Sequence, residues 1–476
     1  MTIDGDDATV GEGGSRLAGE LGEVLAAAVA EHGVPGAAAG VLVDGATHVA
    51  TVGVTNAEHP APVEAGTLFQ VGSVTKTLTA AAVALLAEEG RLGLDDPVDR
   101  HLPDLAAAVE RAGGGLDLAA ITVEHLLSHR SGIDGDWLFT TGGTSIADLA
   151  AAPVTFPPGT GYSYSNAGFT VAGAVVEAVT GEPVAAVVRD RLLRPLGLAT
   201  ACFTADEAIT HSVAAPHWVF DGQAYVIRGV GWQPGWQLGA VDHAAGGLIA
   251  SVPDLLAWGR AQLDGLAADG SMLLPEPVRR RVHTPVVRAD RAHEIGLDWF
   301  VEEVDGTTLI GHGGLTAGYA TDLVIVPDAG VVVAVAVHAT NGGRVAEAVR
   351  RWALERHAGL VERDPEPDPA VDVDLDALVG TYRQSLGDLV VEPGPEPGTL
   401  TVTTVPRSDR SWQPPPDPVV TLAPADAEHL VMVGRAGGPI RLVRFAPPGA
   451  DQPGWLLWGE RRVTSGVVTS GVRPQM

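Results

Sequence analysis

Ser73 and Lys76 have the residue types and the spacing of a catalytic pair. Lys76 is the only lysine in the chain, and every other residue of the Lys and Arg total is arginine. It follows Ser73 by three positions within residues 69–77 (FQVGSVTKT). A guanidinium stays protonated in proteins, whereas a desolvated ε-amine can become neutral and accept a proton. The pair therefore predicts a serine nucleophile that is activated by a lysine base.

A helix that begins near Ser73 would bring the two side chains together. Residues 75–90 (TKTLTAAAVALLAEEG) are rich in Ala and Leu and end at a glycine, which is typical of a helix and its C-terminal stop. Lys76 then lies on the same face as Ser73, and the free N–H groups of the first turn suit a developing oxyanion. The alternative interpretation is a helix cap at Ser73 and a surface lysine at position 76.

Tyr164 and Asn166 form a second candidate pair. They lie within residues 156–168 (FPPGTGYSYSNAG), before an apolar helix that we predict at 169–179. The two positions are separated by one residue, so on an extended loop both side chains point the same way. A tyrosine can shuttle a proton beside an ammonium, and an asparagine amide can donate to a substrate carbonyl and fix the lysine. The alternative is a turn in which Asn166 caps the helix.

A third segment is rich in glycine. Residues 310–318 (IGHGGLTAG) follow an apolar run and precede a predicted strand. Glycines such as Gly314 let a substrate backbone approach a strand closely. The N–H of Leu315 could then pair with that of Ser73 as an oxyanion hole. The alternative is a glycine-rich loop in which His312 is an ordinary surface histidine.

Together the motifs S-x-x-K, Y-x-N and H-x-G, in this order, resemble those of the penicillin-recognising serine hydrolases. Within that superfamily the chain is similar to the class C β-lactamase branch, which includes esterases, D-amino-acid peptidases and related acyltransferases. The resemblance extends over about residues 20–355. Other stretches that resemble the family are VPGAA at 34–38, LFQVGS at 68–73, RLGLDDPV at 91–98, HLLSHRSG at 125–132 and AGGL at 245–248.

The resemblance implies a role for each matching residue. Ser73 attacks the substrate and forms an acyl-enzyme, and Lys76 orients and deprotonates Ser73. Tyr164 acts with Lys76 as the acid and base for the leaving group and for the deacylating nucleophile. Asn166 binds the substrate carbonyl and Lys76. The backbone N–H groups of Ser73 and Leu315 form the oxyanion hole.

The third motif departs from the pattern of the β-lactamases. They and many transpeptidases carry K-T-G there, whereas this chain has His312-Gly313-Gly314. The departure removes the lysine that would bind a β-lactam or peptide carboxylate, so it favours an esterase or peptidase-like role. We expect His312 and Gly314 to contact substrate.

Trp232 and Trp236 lie between two of the family-like stretches, within residues 229–236 (GVGWQPGW). We expect these tryptophans to line the pocket for the acyl group. Packing is an equally good reason for large aromatic side chains at these positions.

The order of helical and strand patterns predicts an α/β (α+β) fold class. We expect an antiparallel sheet flanked by helices with a helical subdomain, followed by a small all-β domain that resembles lipocalin-like appendages of the family. Hairpins are predicted at 37–54 and 323–337. The predicted divisions are a disordered tail at 1–18, the β-lactamase-like domain at 19–360, an acidic Pro-rich linker at 361–372 and the barrel-like domain at 373–476.

Composition excludes several classes of function. The net charge of −29 argues against nucleic acid as a partner, because phosphate binding needs basic patches. Cys202 is the only cysteine, so no internal disulfide or multi-cysteine metal site can form. His125 and His129 have zinc-like spacing, but H-E-x-x-H is absent, and we expect no metal or cofactor. The sequence shows no signal peptide and no apolar run of membrane length, so we expect a cytoplasmic protein.

We therefore expect a serine hydrolase or acyltransferase that takes a small-molecule or peptide ester or amide through a Ser73 acyl-enzyme. An alternative is a stand-alone thioesterase of the penicillin-binding-protein type that hydrolyses or cyclises a peptidyl thioester, delivered by a carrier protein. A further alternative is a catalytically silent binding protein on the same fold. The presence of Ser73, Lys76, Tyr164 and Asn166 favours the enzyme interpretations.

Overall fold

The computed structural model describes residues 12–228, 236, 238–385, 387–406, 419–433, 442–447, 454–458 and 460–465. These residues fall into two units, which are described separately. The first unit comprises the described residues within 1–91, 180–284 and 296–362. The second comprises those within 92–179, 285–295 and 363–476.

The helices are numbered along the chain. They are α1 (Glu12–His32), α2 (Val74–Glu88), α3 (Val98–His101), α4 (Pro103–Ala112), α5 (Val123–Leu127), α6 (Trp137–Thr141), α7 (Asn166–Thr180), α8 (Val184–Val188), α9 (Ala205–Ala208), α10 (His243–Gly246), α11 (Val252–Asp264), α12 (Glu276–His283) and α13 (Gly343–Ala358).

The strands are numbered in the same way. In the first unit they are β1 (Gly36–Val43), β2 (Ala46–Gly53), β3 (Phe69–Gln70), β4 (His217–Phe220), β5 (Gln223–Val226), β6 (Ile249–Ala250), β9 (Phe300–Val304), β10 (Thr307–Thr316), β11 (Tyr319–Val326) and β12 (Val331–Val337). In the second unit they are β7 (Val287–Arg288), β8 (His293–Ile295), β13 (Gly380–Gln384), β14 (Gly387–Pro393), β15 (Leu400–Pro406), β16 (Val420–Asp426), β17 (His429–Val433), β18 (Leu442–Ala446), β19 (Trp455–Trp458) and β20 (Arg461–Ser465).

An antiparallel sheet forms the centre of the first unit. Its strands lie in the order β2-β1-β12-β11-β10-β9. The helices α1 and α13 pack against one face, and α11 packs against the other. Because both faces are covered, strands such as β12 are buried along their whole length, which explains their continuous apolar sequence. Residues that alternate along β1 and β12, including Val41 and Val335, share one core with Leu25 of α1.

A closed barrel forms the C-terminal part of the second unit. In the described part of the chain, eight antiparallel strands follow one another from β13 to β20, and β13 pairs with β20 to close the ring. Closure leaves no sheet edge unpaired. The interior is filled by buried side chains that include Tyr382, Leu389, Leu456 and Val463. The same unit contains the helices α3 to α6 and the segment that leads into α7.

The structure confirms the predicted fold class, with an antiparallel sheet, flanking helices and a small all-β domain that is a barrel. Both predicted hairpins are present, as β1–β2 and β11–β12. The β-type runs that the sequence shows in this domain, at 389–391, 399–405, 419–422, 430–433, 440–445 and 455–458, do not include the barrel strands β13 and β20. Helix α1 begins at Glu12 and so includes residues that the sequence assigned to a tail. No single helix among the described residues is both long and apolar enough to cross a membrane.

Candidate active site

Helix α2 positions Ser73 and Lys76 in the first unit. Ser73 is the residue before the first turn, and the backbone N–H of Lys76 donates to its carbonyl at 2.9 Å. The Lys76 side chain is completely buried. Its Nζ donates to Ser73 Oγ at 2.9 Å and to the carbonyl of Ala245 at 2.5 Å. The geometry therefore places the amine against the hydroxyl that would attack a substrate.

Residues 244–248 hold α2 from one side. The hydroxyl of Thr79 donates to the carbonyl of Ala244 at 2.8 Å, and the N–H of Leu248 donates to Thr75 Oγ1 at 3.1 Å. These bonds fix the carbonyl that accepts from Lys76. Nearby, burial raises the pKa of Asp242 to about 6, and the charge of Lys76 partly opposes this rise. Sequence reasoning missed this carboxyl group, because nothing in its local pattern marks it.

Strand β10 brings Gly314 and Leu315 against the turn that leads into Ser73. A Cβ on Gly314 would lie 2.0 Å from the carbonyl oxygen of Val71, and one on Gly72 would lie 2.8 Å from the Leu315 nitrogen. Gly72 has a φ of +54°, a conformation that favours glycine. The Leu315 side chain is 64% exposed. Glycine at these positions lets the two backbones touch, as an oxyanion hole built from Leu315 and Ser73 requires.

His312 lies on the same strand, but it faces the interior. The side chain is only 3% exposed, and its Nε2 lies 3.3 Å from Oδ2 of the buried Asp298. Its Nδ1 donates to the carbonyl of Gly313 at 2.5 Å, and Phe300 packs against the ring. These contacts are with protein groups, and they assign His312 to the support of β10. A substrate contact by this side chain remains a prediction.

Trp236 is anchored beside the same turn. Its indole N–H donates to the Tyr319 hydroxyl at 2.6 Å, which in turn donates to the carbonyl of Ala214 at 2.5 Å. Gln70 donates to the Trp236 carbonyl. Burial raises the pKa of Tyr319, so this hydroxyl keeps its proton for the second bond. Trp232, the other tryptophan expected to line the acyl pocket, lies outside the described residues.

Tyr164 and Asn166 come together in the second unit. The Tyr164 ring stacks on His129 with 4.3 Å between the ring centroids, and His129 Nδ1 accepts from the N–H of Ser165 at 3.0 Å. Asn166 is the first residue of α7, and its Nδ2 donates to Asp136 Oδ1 at 3.0 Å. The donor of the Asn166 amide is therefore directed at a carboxylate of the same unit.

The two histidines with zinc-like spacing each accept a hydrogen bond from a backbone N–H group. His125 Nδ1 accepts from the N–H of Thr122 at 3.3 Å in the first turn of α5. His129 has a φ of +58° and lies under Tyr164. Among the described residues, no group of three or more His, Cys, Asp or Glu side chains could hold a metal ion.

Comparison with known proteins identifies the family. The family model described as Beta-lactamase matches residues 21–358, which is more than half of the chain. The chain belongs to the β-lactamase family. It is 31% identical to penicillin-binding protein 4 of Amycolatopsis lactamdurans, over 75% of this chain and 95% of that protein. The resemblance inferred from the motifs is confirmed.

Solved structures support the same assignment. SurE, whose structure was determined with D-Leu, superimposes with a TM-score of 0.70 at 28% identity, over 95% of this chain and 100% of SurE. A D-stereospecific amidohydrolase from a Streptomyces species superimposes with a TM-score of 0.56 at 25% identity, over 70% of this chain and 97% of that one. This β-lactamase-family protein is an enzyme of the serine hydrolase and acyltransferase type.

Proposed function

We propose that Ser73 is the nucleophile and Lys76 the base of an acyl-transfer reaction. The observation that carries the proposal is the 2.9 Å contact between Lys76 Nζ and Ser73 Oγ in a completely buried position. Burial disfavours the charged ammonium, so a neutral amine with a free lone pair becomes accessible. The Ser73 proton then passes to Nζ as the Oγ–carbon bond forms.

The oxyanion is stabilised by backbone groups. As Oγ attacks, the substrate carbonyl oxygen becomes negative, and the N–H groups of Leu315 and Ser73 donate to it. The contact between the Gly72 backbone and Leu315 supports this pairing. The carbon–leaving group bond then breaks, and the leaving group takes a proton. This leaves an ester between the acyl group and Ser73.

Tyr164 and Asn166 complete the proposed chemistry. Their assignment rests on the family and on the order of the motifs. Tyr164 delivers the proton to the leaving group and removes one from the nucleophile that releases the acyl group. Asn166 orients the substrate carbonyl. Water as the second nucleophile gives hydrolysis, and an amine gives aminolysis or, within one substrate, cyclisation.

Two relatives support a proposal for the substrate class. SurE was crystallised with D-Leu, and the amidohydrolase is named D-stereospecific. We propose that the acyl group of this enzyme also ends in a D-configured residue, carried as an ester or amide. A peptidyl thioester from a carrier protein is the second candidate.

Matched substrates test the stereochemical proposal. The experiment compares kcat/KM for N-acetyl-D-leucine and N-acetyl-L-leucine p-nitrophenyl esters, and for the corresponding N-acetylcysteamine thioesters, with the Ser73→Ala variant as control. We expect a preference of about 100-fold or more for the D substrate, because the wrong hand misplaces the carbonyl. Equal rates for both hands would contradict the D assignment. No turnover of either thioester would contradict the second candidate.

A further inference from the structure

We propose that strand β20 of the C-terminal barrel is a working part of the enzyme, in which Arg461 positions both Tyr164 and Asn166. The inference rests on the proposed roles of these two residues in acyl transfer. All the groups involved lie in the second unit. The proposal gives the barrel a role in catalysis that its fold and its sequence do not indicate by themselves.

The first step of the argument is the backbone. At the turn into β20 the carbonyl of Glu460 accepts from the N–H of Tyr164 at 2.8 Å. Two residues further on, the N–H of Arg462 donates to Ser163 Oγ at 3.1 Å. The start of β20 thus lies directly along residues 163–164. These bonds fix the backbone of the Y-x-N segment to the barrel.

The second step is the Arg461 side chain. Its guanidinium carbon lies 5.4 Å from the centroid of the Tyr164 ring, within the range of a cation–π contact. Its Nη2 donates to Asp136 Oδ1 at 3.0 Å, and its Nε donates to Asp136 Oδ2. This two-point contact fixes the plane of the guanidinium, which a lysine could not do. The ring of Tyr164 therefore meets a cation of fixed position.

The third step is Asp136, which links the two motif residues. The same Oδ1 that accepts from Arg461 also accepts from Asn166 Nδ2, in both cases at 3.0 Å. Asp136 is buried, with 7% of its side chain exposed, so a single buried carboxylate binds both groups. A displacement of Arg461 would consequently release Tyr164 and Asn166 together.

The charge on Arg461 is permanent at any working pH. Burial lowers its pKa, but the Asp136 carboxylate raises it, with smaller contributions from Tyr164 and Glu460, and the net shift is upward. Arg461 therefore cannot itself transfer a proton. We assign it as a positioning residue, which acts through the orientation of Tyr164 and Asn166.

A second barrel arginine provides a matched control. Arg444 also lies over an aromatic ring, that of Trp455, with 5.8 Å from the guanidinium carbon to the ring centroid. It donates to the carbonyls of Arg288, the last residue of β7, and of Ala289, the next residue. None of these partners belongs to the Y-x-N motif. The loss of Arg444 removes a comparable contact without disturbing Tyr164.

The test compares Arg461→Ala, Asp136→Asn and Arg444→Ala in the full-length protein, with Tyr164→Phe as the catalytic reference. The measurements are kcat and KM for a p-nitrophenyl ester, the melting temperature, and rescue by ethylguanidinium. We expect kcat to fall about 100-fold in Arg461→Ala, because a misplaced catalytic group costs about this much. KM and the fraction folded change little, and ethylguanidinium restores part of the lost kcat. Asp136→Asn lowers kcat about 10-fold or more, and Arg444→Ala stays at the wild-type rate.

Each outcome decides one question. A kcat for Arg461→Ala equal to that of Arg444→Ala, or a loss that only follows the unfolded fraction and is not rescued, overturns the positioning role. If Arg461→Ala does not fold, Asp136→Asn decides, and wild-type kcat in that variant overturns the proposal. If Tyr164→Phe keeps wild-type turnover, the proposed role of Tyr164 fails whatever Arg461 does. If Tyr164→Phe is inactive while Arg461→Ala is fully active, only the positioning role of Arg461 is contradicted.

Discussion

At the scale of single residues, the chemistry depends on how Lys76 is held. Its amine has two acceptors at short range, the Ser73 hydroxyl and the Ala245 carbonyl, and no part of the side chain is exposed. A carbonyl oxygen can accept a hydrogen bond from the amine whether that amine is charged or neutral. In the proposed mechanism, this arrangement would keep Nζ in place as it gains and loses a proton.

Lys76→Arg tests the base directly. The substitution keeps a positive charge next to Ser73 but removes the ability to accept a proton. We expect no acyl-enzyme to accumulate and turnover to fall by at least about 100-fold, in line with the loss of a general base. Acyl-enzyme formation is followed by intact-protein mass, and thermal unfolding confirms that the variant is folded. Acylation at the wild-type rate would contradict the assignment of Lys76 as the base.

At the scale of elements, strand β10 and the start of α2 must touch for the oxyanion hole to form. The contact depends on the absence of a side chain at Gly314, where a Cβ would meet the Val71 carbonyl at 2.0 Å and Thr321 Oγ1 at 2.3 Å. The neighbouring Gly313 is different, because the nearest atom to its Cβ would be the Thr321 carbonyl at 3.8 Å. Of these two adjacent glycines, only Gly314 therefore lies where an added side chain would clash with its neighbours.

The two glycines make a matched pair of variants. Gly314→Ala should push β10 away from the turn before Ser73, because neither partner atom is the end of a flexible side chain. We expect a loss of about 100-fold in kcat, since the two N–H donors separate. Gly313→Ala should keep wild-type kcat. Equal activity of the two variants in an ester assay would contradict the proposed oxyanion hole.

A second feature at this scale is a pair of buried histidines, His338 just after β12 and His217 at the start of β4. His338 Nδ1 donates to the Ala215 carbonyl at 2.9 Å, and His217 Nε2 accepts from the N–H of Ala57 at 3.1 Å. Burial lowers the pKa of His338 to about 3, with the charge of His217 as a second cause. Burial also lowers the pKa of His217. Both rings are therefore held neutral in the folded protein.

These two histidines make the free energy of unfolding dependent on pH. Below about pH 6.5 the unfolded chain binds protons at these histidines that the folded chain does not. The free energy of unfolding should therefore fall as the pH is lowered below about 6.5, by up to about 1.4 kcal/mol per pH unit for each histidine. For His338 this fall continues to about pH 3. His338→Gln should flatten this slope in urea unfolding at pH 7 and pH 5, whereas the exposed His211→Gln should not. An unchanged slope in His338→Gln would contradict the account.

At the scale of the whole molecule, the barrel does not stand apart as its sequence suggests. It belongs to the same unit as residues 92–179, which carry Tyr164 and Asn166. Besides the contacts of β20, Ser385 Oγ at the end of β13 donates to Asp134 Oδ2 at 2.6 Å. The barrel thus contacts the Y-x-N segment through β20 and Asp134 through the residue that follows β13.

Weakening the barrel core should loosen Tyr164. Leu389 is completely buried inside the barrel, and its replacement by Ala should cost about 2–5 kcal/mol. We expect hydrogen exchange to accelerate both in β20 and at the Tyr164 amide, which donates to Glu460. Val405→Ala, at a position that is 47% exposed on the same barrel, serves as the control. Faster exchange in β20 with a fully protected Tyr164 amide would contradict the coupling.

How much could be predicted from the sequence depends on how local each feature is. Ser73 and Lys76 are three residues apart on one helix, so their contact follows from helix geometry alone. The barrel strands β13 and β20 were missed because GTYRQ and RRVTS are mostly polar, and only positions such as Tyr382 and Val463 face the core. Their pairing closes a ring between the ends of the domain, which no local pattern encodes.

The same limit applies to the site residues. The contact between His312 and Asp298 joins two separate segments, so no local pattern could predict it. The expected contact of His312 with substrate remains a prediction. Asp136 and Arg461 are far apart in the chain and meet only through tertiary structure. The motif residues could be found from their types, their spacing and the family resemblance, but the side chains that contact them could not.

The measurement that tests the central claim most directly is the intact mass of the protein over time after mixing with N-acetyl-D-leucine p-nitrophenyl ester. Wild type and Ser73→Ala are compared, and any adduct is mapped by digestion. The account predicts a transient adduct of the acyl mass on Ser73 in wild type, together with nitrophenol release, and neither in Ser73→Ala. An adduct or wild-type turnover in Ser73→Ala would contradict the claim that Ser73 carries the acyl group.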